Sequence, residues 1–154
     1  MKRKNKPINE YIYYKKIKAH EKAIERCQFI TSDKFITLGE DKKAVVWNTD
    51  GDKIIELLDH RAWVFGIDIQ NEHILTYGSD HHIIVWDDFI IVNKLQHLDL
   101  IHFAFFYKDN IVISASKDGC LKIWNYKLNI IVKEYFYDDI NEFLICSALL
   151  IFAF

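Results

Sequence analysis

Three tryptophans, Trp47, Trp86 and Trp124, stand 39 and 38 residues apart, and each brings the same upstream residues with it. Six positions before each is an aspartate: Asp41, Asp80 and Asp118. Four positions before each aspartate is a hydroxyl: Thr37, Thr76 and Ser114. A histidine (His20, His60, His97) lies 20 or 21 positions before each aspartate. Every tryptophan also closes a short apolar run, Ala44–Val46, Ile83–Val85 or Leu121–Ile123. Twelve positions held at such spacing constitute an internal repeat. A unit of about 40 residues cannot bury its apolar surface alone, so repeats of this length stack and share a continuous core.

Within one period the pattern is that of strands. Between His60 and Trp86 the run Trp63–Ile69 breaks at Gln70-Asn71, resumes as Ile74–Tyr77, turns at Gly78–His81, and resumes as His82–Trp86. A fourth strand follows as Phe89–Leu95, and the other copies place theirs at Ile54–Leu58 and Ile130–Phe136. These are hairpin spacings. Runs such as Ile83–Trp86 and Ile111–Ile113 are apolar at every position, where a strand with one wet face would alternate. Both faces are therefore expected to be covered, as in sheets stacked face to face. Tyr11–Lys22 allows a short helix or a strand, and a strand is favoured there as the outer strand of a preceding unit.

The period and the His–Asp–Thr/Ser–Trp set resemble the WD-repeat family over about residues 20–125. The resemblance implies an all-β fold of β-propeller blades, each a four-stranded antiparallel sheet, arranged around a channel. It also implies that His20, Thr37, Asp41 and Trp47, then His60, Thr76, Asp80 and Trp86, then His97, Ser114, Asp118 and Trp124 form hydrogen-bonded structural tetrads. The departures are mild. Trp-Asp occurs once, at Trp86-Asp87, with Trp-Asn in the other copies; Ala19, Asp59 and Gln96 stand where glycine is usual before the histidine. The glycine usual after the turn aspartate survives as Gly119, with Lys42 and His81 in its place elsewhere. The expected organisation is a basic tail at 1–9 and a partial propeller at 10–154. Its blades fall at about 20–58, 60–95 and 97–136, with a partial blade at 140–154 in which Asp138-Asp139 replaces the expected histidine. Propellers typically need four to eight blades, so three describe an incomplete or open propeller. Open apolar blade faces predict self-association, notably through Phe143–Phe154.

Catalytic readings fit poorly. His97, Asp118 and Ser114 can be drawn as a triad, but the set occurs three times, the hydroxyl is threonine in two copies, and no G-x-S-x-G elbow is present. His73, His81 and His82 lack metal-ligand spacing, and no phosphate-cradling glycine loop exists. The expectation is a non-enzyme with no cofactor and no metal. Cys27, Cys120 and Cys146 are scattered, which predicts reduced thiols packed as small hydrophobes in the cytoplasm. No secretory signal follows the start, and the apolar run at Phe143–Phe154 is too short to cross a bilayer as a helix. Residues 1–18 hold seven Lys/Arg and one acid, against 13 bases and 21 acids in the remainder. Nucleic acid is not the expected main ligand of that arm, since no aromatics interleave among Lys2–Lys6 and the body behind them is acidic.

A protein-interaction scaffold, one subunit of a larger assembly, is the expected function. The runners-up are a propeller of an enzyme-associated regulatory protein and an RNA- or DNA-contacting subunit acting through the arm. The resemblance implies that partners dock on the channel rim. Carried over position by position, the rim residues following each histidine are Ala23 and Glu25, Trp63 and Phe65, and Leu100 and His102. Those before each turn aspartate are Glu40, Ser79 and Lys117. Trp63 and Phe65, two apart on a strand, are expected to share one face at the channel mouth.

Overall fold

The computed structural model describes residues 16–136. All regular structure among them is β. The strands are β1 (Ile24–Phe29), β2 (Lys34–Gly39), β3 (Ala44–Asn48), β4 (Lys53–Leu57), β5 (Val64–Gln70), β6 (His73–Gly78), β7 (His82–Asp87), β8 (Ile90–Gln96), β9 (Ile101–Lys108), β10 (Ile111–Ser116), β11 (Cys120–Asn125) and β12 (Ile130–Phe136). They form three four-stranded antiparallel sheets, β1–β4, β5–β8 and β9–β12, each paired in chain order. The tail at 1–9 and the partial blade at 140–154 lie outside the described residues. Of the outer strand expected at Tyr11–Lys22, positions 16–22 form no strand.

Turn chemistry follows local sterics. The position after each tetrad aspartate has positive φ: 74° at Lys42, 67° at His81 and 81° at Gly119. Asn71 and Glu72 both have positive φ, as do Asp88 and Phe89. Two adjacent left-handed residues make the tight hairpin whose twist matches its flanking strands.

The core lies between the sheets. Along β7, Ile83 and Val85 enter the seam toward the third blade, where they meet Ile101, Ala104, Phe106, Val112, Trp124 and Tyr126. Ile84 and Trp86 enter the opposite seam and meet Ile36, Leu38, Ala44, Val46 and Leu57 of the first blade. One strand feeds two cores, so its run is apolar throughout.

The seam between the second and third blades, the second seam (the first being that between the first and second blades), also carries polar fasteners. The Phe106 N–H donates to Asp68 (2.7 Å), Asn93 Nδ2 donates to the Tyr126 carbonyl (2.9 Å), and Tyr77 bonds the Ala104 backbone. At the equivalent positions the first blade has Gln28, Ile55 and Leu38, and neither of the last two can form such a bond.

The outer face of the first blade is exposed along β1, although Val45 and Trp47 on the same face are buried. Phe29 is 64% exposed, whereas Phe106, its equivalent in the third blade, is 7% exposed against the second. This corrects the expectation for Cys27, which is exposed on that face; Cys120 is buried as expected. Burial at this position comes from a neighbouring blade, and the equivalent Ala104 has one.

Two register irregularities recur in every blade, and the third blade has one more, at Tyr107. An extra residue sits in the innermost strand at Glu25, Phe65 and His102, and in the outermost strand at Ile54, Val92 and Val132. Bulges of this kind bend a strand and re-aim the side chain they carry.

Candidate functional site

Each tetrad is a chain of hydrogen bonds from the blade's end into its core. In the second blade His60 Nδ1 is 3.0 Å from Asp80, His60 Nε2 is 2.9 Å from Thr76 Oγ1, and Trp86 Nε1 donates to Thr76 Oγ1 at 2.9 Å. The first blade joins His20, Asp41, Thr37 and Trp47 at 2.8, 2.8 and 2.9 Å. The third joins His97, Asp118, Ser114 and Trp124 at 2.9, 2.8 and 2.8 Å. The geometry fixes one ring proton in each tetrad. An ionised carboxylate only accepts, so Nδ1 carries the proton; a neutral imidazole then accepts at Nε2 from the hydroxyl, which in turn accepts from the indole. The hydroxyl is thus engaged on both sides, and Thr76 and Ser114 are wholly buried.

The carboxylates also gather backbone donors. Asp41 accepts the N–H of Glu21 and Lys43, Asp80 those of Arg61 and His82, and Asp118 those of Leu98 and Cys120. Each aspartate therefore ties the segment entering the blade to the turn between its second and third strands. Burial pushes all three carboxyls up. The His N–H and backbone N–H groups outweigh it and hold them below the ordinary value. For His97, burial wins over the pull of Asp118 and keeps the imidazole below its usual value, in agreement with a neutral ring.

These shifts give stability a sign. Below about pH 6.5 the unfolded chain protonates His97 while the native protein resists, so stability falls as pH drops through that value. The depressed aspartates contribute stability above about pH 4, and it is lost as pH falls through their lower folded values. We expect the thermal midpoint to decline between pH 7 and pH 5 and to drop again in stronger acid. A midpoint that stayed level from pH 7 to 5, or rose, would contradict a neutral His97.

The rim positions emerge from the segments these aspartates secure. The N–H of Glu40, Ser79 and Lys117 donates to the carbonyl of Ala23, Trp63 and Leu100 at 3.0, 2.9 and 2.8 Å, the same tie in each blade. Trp63 precedes β5 and is 48% exposed. Lys117 and Glu25 are exposed, while Glu40, Ser79 and His102 are half-buried. One expectation is corrected. Trp63 and Phe65 do not share a face, because Phe65 is the bulged residue of β5. Its ring instead turns into the second seam, edge-on to Tyr77 at 5.7 Å.

Several residues at this end were not singled out from the sequence. Arg61 is exposed, and Leu98 is 81% exposed directly after the buried His97. A large apolar residue in a polar connection was the available signal for Leu98. Gly78 is required because a Cβ there would overlap the Trp63 carbonyl; at Gly39 it would lie 2.5 Å from His20 Nδ1. Glycine two positions before the turn aspartate, in two of three copies, was the signal for both.

Comparison with known proteins agrees with this architecture. The sequence model of the family described as WD domain, G-beta repeat matches residues 92–125. WD repeat-containing protein 41 of Homo sapiens is 25% identical over 146 residues, which is 85% of this chain and 31% of that protein. The chain thus spans about a third of that relative's length. The computationally designed Ika8 protein superposes with a TM-score of 0.70 at 20% identity, covering 77% of this chain and 38% of that one. U3-55K does so with a TM-score of 0.68 at 18% identity, covering 76% and 40%. At these identities the two structures speak to the fold.

Proposed function

We propose that the chain, whose repeat and blades are those of the WD-repeat family, is a non-catalytic scaffold holding a protein partner on its rim. WD-repeat proteins are in general protein-interaction scaffolds. One observation carries the reading here: Trp63 is half exposed on a backbone fixed from two sides. Its carbonyl is tied to Ser79, and the adjacent Arg61 N–H is tied to Asp80 at 2.8 Å. An indole held outward on rigid backbone loses little freedom on binding, and such aromatic anchors dominate interface energetics. Its exposure argues against a packing role, since Trp86 and Trp124 are buried in seams.

The test is Trp63→Ala in the full chain. We expect the thermal midpoint to stay within a few degrees of the parent. Affinity for a protein partner that co-purifies with the parent should weaken by about 2 kcal/mol or more. A variant that kept its partner, or that lost several kcal/mol of stability as a buried tryptophan does, would remove the rim assignment.

A further inference from the structure

At the rim of the second and third blades the exposed and unpaired charges are cations, which points to the chemistry of a partner. Arg61 and Trp63 leave the segment before β5, His81 sits in the β6–β7 turn, Leu98 opens the segment before β9, and Lys117 lies in the β10–β11 turn. Backbone bonds draw these segments together: Ser79 N–H to Trp63, His97 N–H to His81 at 3.0 Å, and Lys117 N–H to Leu100. The acids at this end keep their charge but are engaged within the protein, the Asp80 and Asp118 side chains only 6% and 4% exposed. Asp80 and Asp118 serve their tetrads, Asp59 pairs with Lys94, and Asp99 accepts the Leu100 N–H at 2.7 Å. The cations are not: among the described residues no carboxylate forms an ion pair with Arg61 or Lys117, both exposed. The first blade differs, its rim carrying the acids Glu25 and Glu40 beside Lys22 and Lys42.

Resting on the rim reading above, we propose that this surface receives an acidic peptide segment bearing a large apolar side chain. The apolar side chain packs against Trp63 and Leu98, and the segment's carboxylates pair with Arg61 and Lys117. Arginine offers a carboxylate a bidentate fork, and charges at the edge of an apolar contact select partners by sign. A basic segment would place its cations beside Arg61 and Lys117, with the nearby carboxylates already engaged.

The experiment pans a display library of random 12-residue peptides against the full 154-residue chain, then measures the enriched peptides by fluorescence anisotropy. The expected peptides carry Asp or Glu close to Leu, Phe or Trp. Their affinity should fall about tenfold or more with R61E/K117E, fall similarly with Trp63→Ala, and weaken as salt rises. All the substituted side chains are exposed, so unchanged thermal midpoints verify folding. Neutral or basic peptides that need Trp63 but ignore R61E/K117E would overturn the acidic assignment and leave the rim reading standing. Peptides indifferent to Trp63→Ala, or no enrichment at all, would overturn the rim as a peptide-docking surface.

Discussion

Trp86→Ala is expected to destabilise the protein by roughly 3–5 kcal/mol, a large part of the stability of a domain this size. Trp86 is 3% exposed and lies in the first seam against Ile36, Leu38, Val46 and Leu57. Truncation leaves a cavity between two blades that the sheets cannot close without sliding. It also takes a donor from Thr76 Oγ1, which the indole reaches at 2.9 Å. Trp86→Phe separates the two losses. The ring remains and only the N–H and some volume go, so the cost should be about 1–2 kcal/mol. Urea melts of the two variants beside Trp63→Ala give an order: Trp86→Ala far below Trp86→Phe, with Trp63→Ala nearest the parent. Were Trp86→Ala to melt within 1 kcal/mol of the parent, the seam would not be the core.

Gly66→Phe should be nearly as damaging, by about 3 kcal/mol. Gly66 pairs with Tyr77 across β5 and β6, and a Cβ on Gly66 would overlap the tyrosine ring. The ring must leave, and with it go the contacts of Tyr77 in the second seam and its bond to Ala104. The equivalent cross-strand pairs are Arg26 with Leu38 and Phe103 with Ala115. Volume is thus exchanged between the two strands: small opposite large in the second blade, large opposite small in the third. Installing the third blade's pair, G66F with Y77A, is expected to recover part of the loss and to be better tolerated than the sum of the single changes. Recovery stays incomplete because the Ala104 bond is gone. A strictly additive double-mutant cycle would mean that the two positions do not share one volume.

Much of this was legible in the sequence because it depends on residues close in the repeat. The strand pattern and the turns follow from local sterics. The runs apolar at every position at Ile83–Trp86 and Ile111–Ile113 reported two covered faces, since a strand alternates its side chains whatever its neighbours are. The His–Asp–Thr/Ser–Trp set could be picked out because it recurs at nearly fixed spacing in three copies, and the WD-repeat resemblance implied that its members bond one another.

What stayed hidden depends on register and on neighbours. A bulge adds one residue, and in a strand covered on both faces no polar–apolar rhythm is left to show the slip. That is why Trp63 and Phe65 were expected on one face, while the tertiary structure turns Phe65 into the seam and leaves Trp63 outside. The need for glycine at position 66 comes from a tyrosine on the adjacent strand, eleven residues later. Cys27 and Ala104 occupy equivalent positions, yet one is exposed and the other buried, because burial belongs to the blade alongside rather than to the residue. The charge balance of the rim has the same origin. Asp59, Asp80, Asp99 and Asp118 make this region acidic in the sequence, and only the folded chain, by giving each of them a partner, leaves Arg61 and Lys117 facing outward.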